Sequence, residues 1–123
     1  MDSNYLGIVA VVDDDKDARD VLGGLLEAMG YQVEVYRSGI DFLAAAPFER
    51  FACMVIDQNM PSLTGLETIE SLSRRGVSLP VVLIYGKRDD DVARQAANLG
   101  VMAVLEKPLS YQKLLRFVSV SVG

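Results

Sequence analysis

At 123 residues, half of them hydrophobic and 24% charged, the chain has the size and balance of one folded domain, not of a disordered segment. Its net charge of −5 argues against nonspecific nucleic-acid binding, and the lack of any histidine excludes imidazole metal sites, imidazole acid–base pairs and phosphohistidine chemistry on the chain itself. No apolar run approaches the roughly 20 residues of a membrane span, and no basic segment followed by an apolar stretch marks a signal peptide.

Met1 to Leu6 forms a short polar lead. Ile8 to Val12 is near-continuously apolar, the pattern of a strand covered on both faces. Ala18, Val21, Leu22, Leu25 and Met29 recur at helical spacing and predict a first helix from about Asp17 to Met29, stopped by Gly30. Gly23 and Gly24 inside it each cost about 0.5–1 kcal/mol relative to alanine. They read as tolerated weak points, with a close-approach face for another helix as the alternative. Gln32 to Tyr36 alternates and is short, as an edge strand is. Ser38-Gly39 opens a brief helix that ends before Pro47.

Cys53 to Asp57 is the central strand, followed by a turn at Met60-Pro61. Cys53, the single cysteine, excludes an internal disulfide, fits a reducing compartment and reads as a small core hydrophobe, not a nucleophile. Thr64-x-x-Glu67 is a capping box opening the third helix, with Leu66, Ile69 and either Leu72 or Ser73 facing inward. Pro80 precedes a fourth buried strand, Val81 to Tyr85. Asp89-Asp90-Asp91 reads as the start of the fourth helix, matching the positive end of its dipole, in preference to a metal site. Val92, Ala96 and Leu99 form that helix's buried face, and Gly100 ends it. Met102 to Glu106 is the fifth strand, and Tyr111, Leu114, Leu115 and Val118 mark the last helix. Strands alternating with helices predict a parallel sheet with helices on both faces. No repeats, linkers or low-complexity segments interrupt the pattern. The chain ends directly after the fifth helix, so a single domain over 1–123 with no output domain is expected.

The chemistry is concentrated where three strands end. Val9 to Val12 runs into Asp13-Asp14-Asp15, Cys53 to Ile56 into Asp57, and Val101 to Leu105 into Glu106-Lys107-Pro108. Open α/β sheets place ligands at the carboxyl ends of their strands. Several carboxylates and one lysine gathered there make a small site for a cation and a phosphoryl group. Singly, Asp13 to Asp15 also reads as a solvated acidic turn and Lys107 as a surface lysine; their joint placement favours the site.

Val12-Asp13-Asp14, Asp57-x-x-Met60-Pro61-x-x-x-Gly65 and Lys107-Pro108, in this order and at these separations, resemble a response-regulator receiver domain. The resemblance spans Ile8 to Val120. It implies a flavodoxin-like, doubly wound five-stranded sheet of order 2-1-3-4-5 with five helices, in a bacterial, cytoplasmic two-component pathway. Asp57 is then the phosphoacceptor, a recognised covalent role for a carboxylate. Asp14 and Asp57 would ligate Mg²⁺ (or Mn²⁺) directly, Asn59 would add its backbone carbonyl, and Asp13 would act through water, which suits a cation that takes oxygen ligands and keeps several waters. Lys107 would pair with a phosphoryl oxygen, and the Lys107–Pro108 peptide would be cis. The implied partner is a sensor histidine kinase or histidine phosphotransfer protein, with a possible homodimer through the face from helix four to helix five, and neither nucleic acid nor membrane.

Two positions depart from the family pattern. Receivers carry serine or threonine at the end of strand four, where this chain has Tyr85, and tyrosine or phenylalanine on strand five, where it has Val104. The switch positions have exchanged bulk. A phenol oxygen lies several ångströms further from the backbone than a threonine hydroxyl, so the coupling of phosphate to helix four is expected to be weak or rewired. The alternative is a phosphorylation-independent interaction module. A flavodoxin-like electron carrier fits poorly, since the three aspartates after strand one would repel a flavin phosphate. A haloacid-type phosphatase would want a second acid where Asn59 stands.

Overall fold

The computed structural model describes residues 7–86 and 90–122. The lead from Met1 to Leu6 and the first residue of the Asp89–Asp91 run therefore lie outside the described residues. Five parallel strands, β1 (Ile8–Val12), β2 (Gln32–Tyr36), β3 (Phe51–Asp57), β4 (Val81–Tyr85) and β5 (Ala103–Glu106), form one sheet in the order β2-β1-β3-β4-β5. Between and after them run α1 (Lys16–Ala28), α2 (Gly39–Leu43), α3 (Gly65–Arg74), α4 (Asp90–Asn98) and α5 (Tyr111–Val122), with a short 3-10 turn at Phe48–Arg50. This is the flavodoxin-like order that the receiver resemblance implies.

The sheet is buried on both faces, which is why its central strands are unbroken apolar runs. Alternate residues of β3 go to opposite layers. Met54 and Ile56 join Phe42 of α2, Leu72 of α3 and Ala96 of α4. Cys53 and Val55 join Leu22 and Leu26 of α1 and Leu114 and Val118 of α5. Cys53 is fully buried, and burial pushes its thiol up to about 11, so it stays protonated and inert. β3 begins at Phe51, two residues earlier than the apolar run suggests, because the Phe51 ring packs against Phe42 at 5.3 Å between centroids.

Helix α1 corrects the sequence reading of its inward face. Leu22, Gly23 and Leu26 are buried, whereas Val21 and Met29 are 50% and 52% exposed. Two neighbouring stripes of the helix are apolar, and only the one centred on Leu22 and Leu26 meets the sheet. A Cβ on Gly23 would make ordinary contacts of 3.7–3.8 Å with Val33 and Val35, and one on Gly24 would meet nothing within 4 Å. Neither glycine serves a close helix–helix approach. On α3, Leu72 and not Ser73 faces the core; on α5, Leu114 and Val118 do, while Tyr111 is 47% exposed.

The helix starts follow local chemistry. Thr64 and Glu67 form the reciprocal capping box: the Glu67 N–H donates to Thr64 Oγ1 at 3.1 Å and the Thr64 N–H to Glu67 Oε1 at 2.9 Å. Asp15 caps α1, accepting from the Asp17 N–H at 3.0 Å. The third aspartate of the first acidic run is thus used in building the helix.

Candidate functional site

Parallel register brings the strand ends level. Val12 pairs with Ile56, Asp57 with Ile84 and Tyr85 with Glu106. The ladder continues one residue past each strand: Asp13 N–H donates to the Tyr36 carbonyl at 3.0 Å, Gln58 N–H to that of Ile84 at 2.7 Å, and Lys107 N–H to that of Tyr85 at 2.9 Å. Backbone hydrogen bonds therefore carry Asp13, Asp57 and Lys107 to one edge of the sheet.

Side-chain oxygens of Asp13, Asp14 and Asp57 lie within 4.8 Å of one another. Asp13 and Asp57 are each only 3% exposed, while Asp14 faces solvent. The Lys107 ammonium stands 3.3 Å from Asp57 Oδ1. That contact is an ion pair without hydrogen-bond direction: among the described residues, Asp57 Oδ1 is buried and accepts no hydrogen bond. Burial pushes the Asp57 carboxyl above the ordinary carboxylate value, against the pull of Lys107 and of the Asn59 N–H. Burial likewise raises Asp13, with the Asp57 charge adding to the rise and the Asp15 N–H, donating to Asp13 Oδ1 at 2.9 Å, opposing it.

Two buried carboxylates, one with an unsatisfied oxygen and both resisting ionisation, call for a cation. The donors are all hard oxygens and one acid is open to water, which fits an ion of the Mg²⁺ class that keeps part of its hydration shell.

Asn59 lies on the exposed turn after β3, with its side-chain Oδ1 accepting the Gly86 N–H at 3.0 Å. The Lys107–Pro108 peptide is cis, and Pro108 is exposed. Tyr85 is half-buried and outside both core layers, whereas Val104 packs against the layer under α2, α3 and α4. A groove of about 380 Å³ opens beside the carboxylates, lined by Asp13, Val21, Ile84, Lys107, Pro108 and Tyr111. A second cavity, of about 300 Å³, lies between Leu72, Val77 and Leu99 at the opposite edge of the sheet, away from this chemistry.

Two supports of the site carry no sequence motif, and a third, Gly65, is marked only by its spacing from Asp57. Arg19 Nη1 donates to the Asp13 carbonyl at 2.7 Å and braces the acidic turn from α1. Gln58 Oε1 accepts the Leu66 N–H at 2.8 Å and ties β3 to the start of α3. Gly65 sits so close to the strand end that a Cβ there would lie 2.8 Å from the Asp57 carbonyl oxygen; its place in the Asp57-to-Gly65 spacing is the one signal that could have found it.

A sequence model of the response regulator receiver domain matches residues 9–119. The chain belongs to that family. The receiver is 37% identical over 116 residues to the transcriptional regulatory protein FixJ of Azorhizobium caulinodans, covering 94% of this chain and 54% of that protein. It is 34% identical over 115 residues to the transcriptional regulatory protein TdiR of Thauera aromatica, covering 94% and 51%. The chain thus spans about half the length of the curated relatives it matches. Among solved structures, a response regulator receiver protein from Pseudoalteromonas atlantica superposes with a TM-score of 0.87 at 26% identity, covering 94% of this chain and 96% of that one. Receivers hold Mg²⁺ in an acidic pocket, and this receiver has such a cluster in Asp13, Asp14 and Asp57. Among the described residues, no helix is long and apolar enough to cross a membrane.

Proposed function

We propose that this receiver takes a phosphoryl group from a partner's phosphohistidine onto Asp57. The observation that carries the reading is the buried Asp57 Oδ1, unsatisfied by hydrogen bonds, with the Lys107 ammonium at 3.3 Å and two further carboxylates beside it. The carboxylate oxygen forms a bond to phosphorus as the phosphorus–nitrogen bond breaks, and the departing imidazole takes up a proton. Water later attacks phosphorus, returning Asp57 as the carboxylate and releasing inorganic phosphate. Lys107 neutralises charge on the phosphoryl oxygens throughout. Asp14, Asp57 and the Asn59 carbonyl would hold Mg²⁺, with Asp13 acting through water. When bound, the ion supplies charge neutralisation for phosphoryl transfer.

The donor would dock at the groove between α1 and the start of α5, where the exposed Val21 and Tyr111 flank a path to Asp57 and Lys107. The partner implied is a cytoplasmic sensor histidine kinase or histidine phosphotransfer protein. The face from α4 to α5 is the second surface, for self-association. With Tyr85 and Val104 at the switch positions, coupling to α4 does not run through a short hydroxyl.

Intact mass after treatment with acetyl phosphate and Mg²⁺ tests the assignment, with Asp57→Asn as control. One phosphoryl adduct on the wild type and none on the variant is expected. An unmodified wild type would instead favour a phosphorylation-independent interaction module, which the tyrosine at position 85 makes the competing reading.

A further inference from the structure

The turn after β3 and the segment after β4 are joined by one side chain. Asn59 Oδ1 accepts the Gly86 N–H at 3.0 Å, 27 residues away. The same residue's backbone N–H lowers the Asp57 carboxyl against the rise that burial causes. Gly86 in turn adjoins the lysine, since a Cβ built on it would lie 3.6 Å from Asn59 Oδ1 and 3.7 Å from Lys107 Cδ. It directly follows Tyr85 and is the last described residue before α4. One asparagine therefore stands two residues after the acceptor in the chain and holds the segment leading to α4 with its amide. At position 85 the phenol stands outside both core layers, and this bond is a polar connection between the two loops among the described residues.

We infer that Asn59 is a positioning residue whose side chain, through the Gly86 N–H, couples occupancy at Asp57 to the β4–α4 segment. The inference rests on Asp57 being the phosphoacceptor. Any group that binds Asp57 engages the Asn59 main chain, shifts its side chain, and so holds or releases Gly86. The coupling that a small hydroxyl cannot supply here is carried from the other side of the site.

The test is ¹⁵N NMR on the full chain with Mg²⁺, with and without beryllofluoride as the phosphoryl mimic, for wild type, Asn59→Ala and Asn59→Asp. Asn59 is exposed, so both variants are expected to fold. Without beryllofluoride, the Gly86 amide should exchange about tenfold faster in Asn59→Ala than in wild type, the scale of one lost hydrogen bond. Asn59→Asp, which keeps an acceptor of the same reach, should restore protection. With beryllofluoride, amide shifts along Asp90–Asn98 should fall to less than half their wild-type size in Asn59→Ala. Unchanged Gly86 exchange in Asn59→Ala overturns the bond. Beryllofluoride binding with an undiminished α4 response in that variant overturns the coupling alone. No beryllofluoride binding by the wild type overturns the phosphoacceptor reading and the coupling with it.

Discussion

Lys107 and Asp57 meet at 3.3 Å although they come from strands that are not neighbours, β5 and β3, with β4 between them. The lysine reaches across the end of β4, at whose last residue its own N–H is anchored on the Tyr85 carbonyl. Its side chain is 44% exposed while that of Asp57 is 3% exposed, so the pair joins a buried charge to a half-solvated one. An ion pair exposed on one side adds about 1 kcal/mol or less to stability; under the proposed function, its value would lie in preorganisation for an incoming anion. Lys107→Ala should leave the fold intact and slow adduct formation from acetyl phosphate about 100-fold, the cost of losing one preorganised positive donor. Single-turnover mass spectrometry reads this directly, and an unchanged rate would remove Lys107 from the chemistry.

Gly65 sets a second constraint on Asp57. It is the first residue of α3, where alanine would ordinarily help by about 0.5–1 kcal/mol. Here a Cβ would stand 2.8 Å from both the Asp57 carbonyl oxygen and Leu83 Cδ1, and 3.1 Å from Gln58 Cα. Two of those three atoms are backbone and cannot step aside, so overpacking, worth about 1–3 kcal/mol, outweighs the helix gain. Gly65→Ala should lower the urea midpoint and reduce phosphorylation together. A stabilised variant with normal phosphorylation would show that the strand end yields easily.

The parts of this architecture visible in the sequence are those written in local patterns. The strands are continuous apolar runs because both sheet faces are covered, and Asp13, Asp57 and Lys107 are legible because each follows such a run. Capping by Thr64 and Glu67 is a short-range pattern and equally plain. The inward face of α1 was blurred because Val21 and Leu22 are adjacent and both apolar, and only packing against β1 and β2 distinguishes them. The Arg19, Gln58 and Asn59 bonds were not legible at all. Each joins a side chain to backbone that the turn geometry brings near, and no composition or period encodes such a pairing. The exchange of bulk between positions 85 and 104 was visible as a departure, but the Asn59–Gly86 bond between the neighbouring loops was not.

The acidic pair predicts a pH dependence of metal-free stability. Burial raises both Asp13 and Asp57 above their ordinary value of 3.8, so between that value and the raised ones the folded state binds more protons than the unfolded chain. Stability from these two groups is therefore fully present below 3.8 and is lost as pH rises through their raised values. Asp13→Asn removes part of that loss, and in metal-free neutral buffer it should be more stable than wild type by about 1 kcal/mol. The gap should narrow toward acid. Excess Mg²⁺ should narrow or reverse the gap, since the protein that holds the ion more tightly gains more from it by mass action. Urea denaturation at two pH values, with and without Mg²⁺, checks both signs; a variant equally stabilised by Mg²⁺ would show that Asp13 does not contribute to holding the ion.

On the outer strand β2, beside the acidic turn, Tyr36 is held by a different polar cluster. Its hydroxyl donates to Glu34 Oε1 at 2.7 Å and accepts from Arg50 Nη2 at 3.2 Å, while its ring meets Phe42 edge-on at 5.3 Å. Burial, followed by the hydrogen bond to Glu34 and its charge, pushes the phenol up to about 12, with Arg50 opposing. Since the folded phenol keeps its proton longer than the unfolded one, the stability it contributes is whole below about 10 and disappears as pH rises from there to about 12. Absorbance titration of tyrosinate should show one of the five tyrosines ionising late, near or together with alkaline unfolding. Tyr36→Phe should delete that late step at a cost of about 1 kcal/mol for the lost hydrogen bonds. Glu34→Gln should bring the step to lower pH, because it removes the negative charge that opposes a phenolate. A late step that survives Tyr36→Phe would assign the raised phenol to another tyrosine.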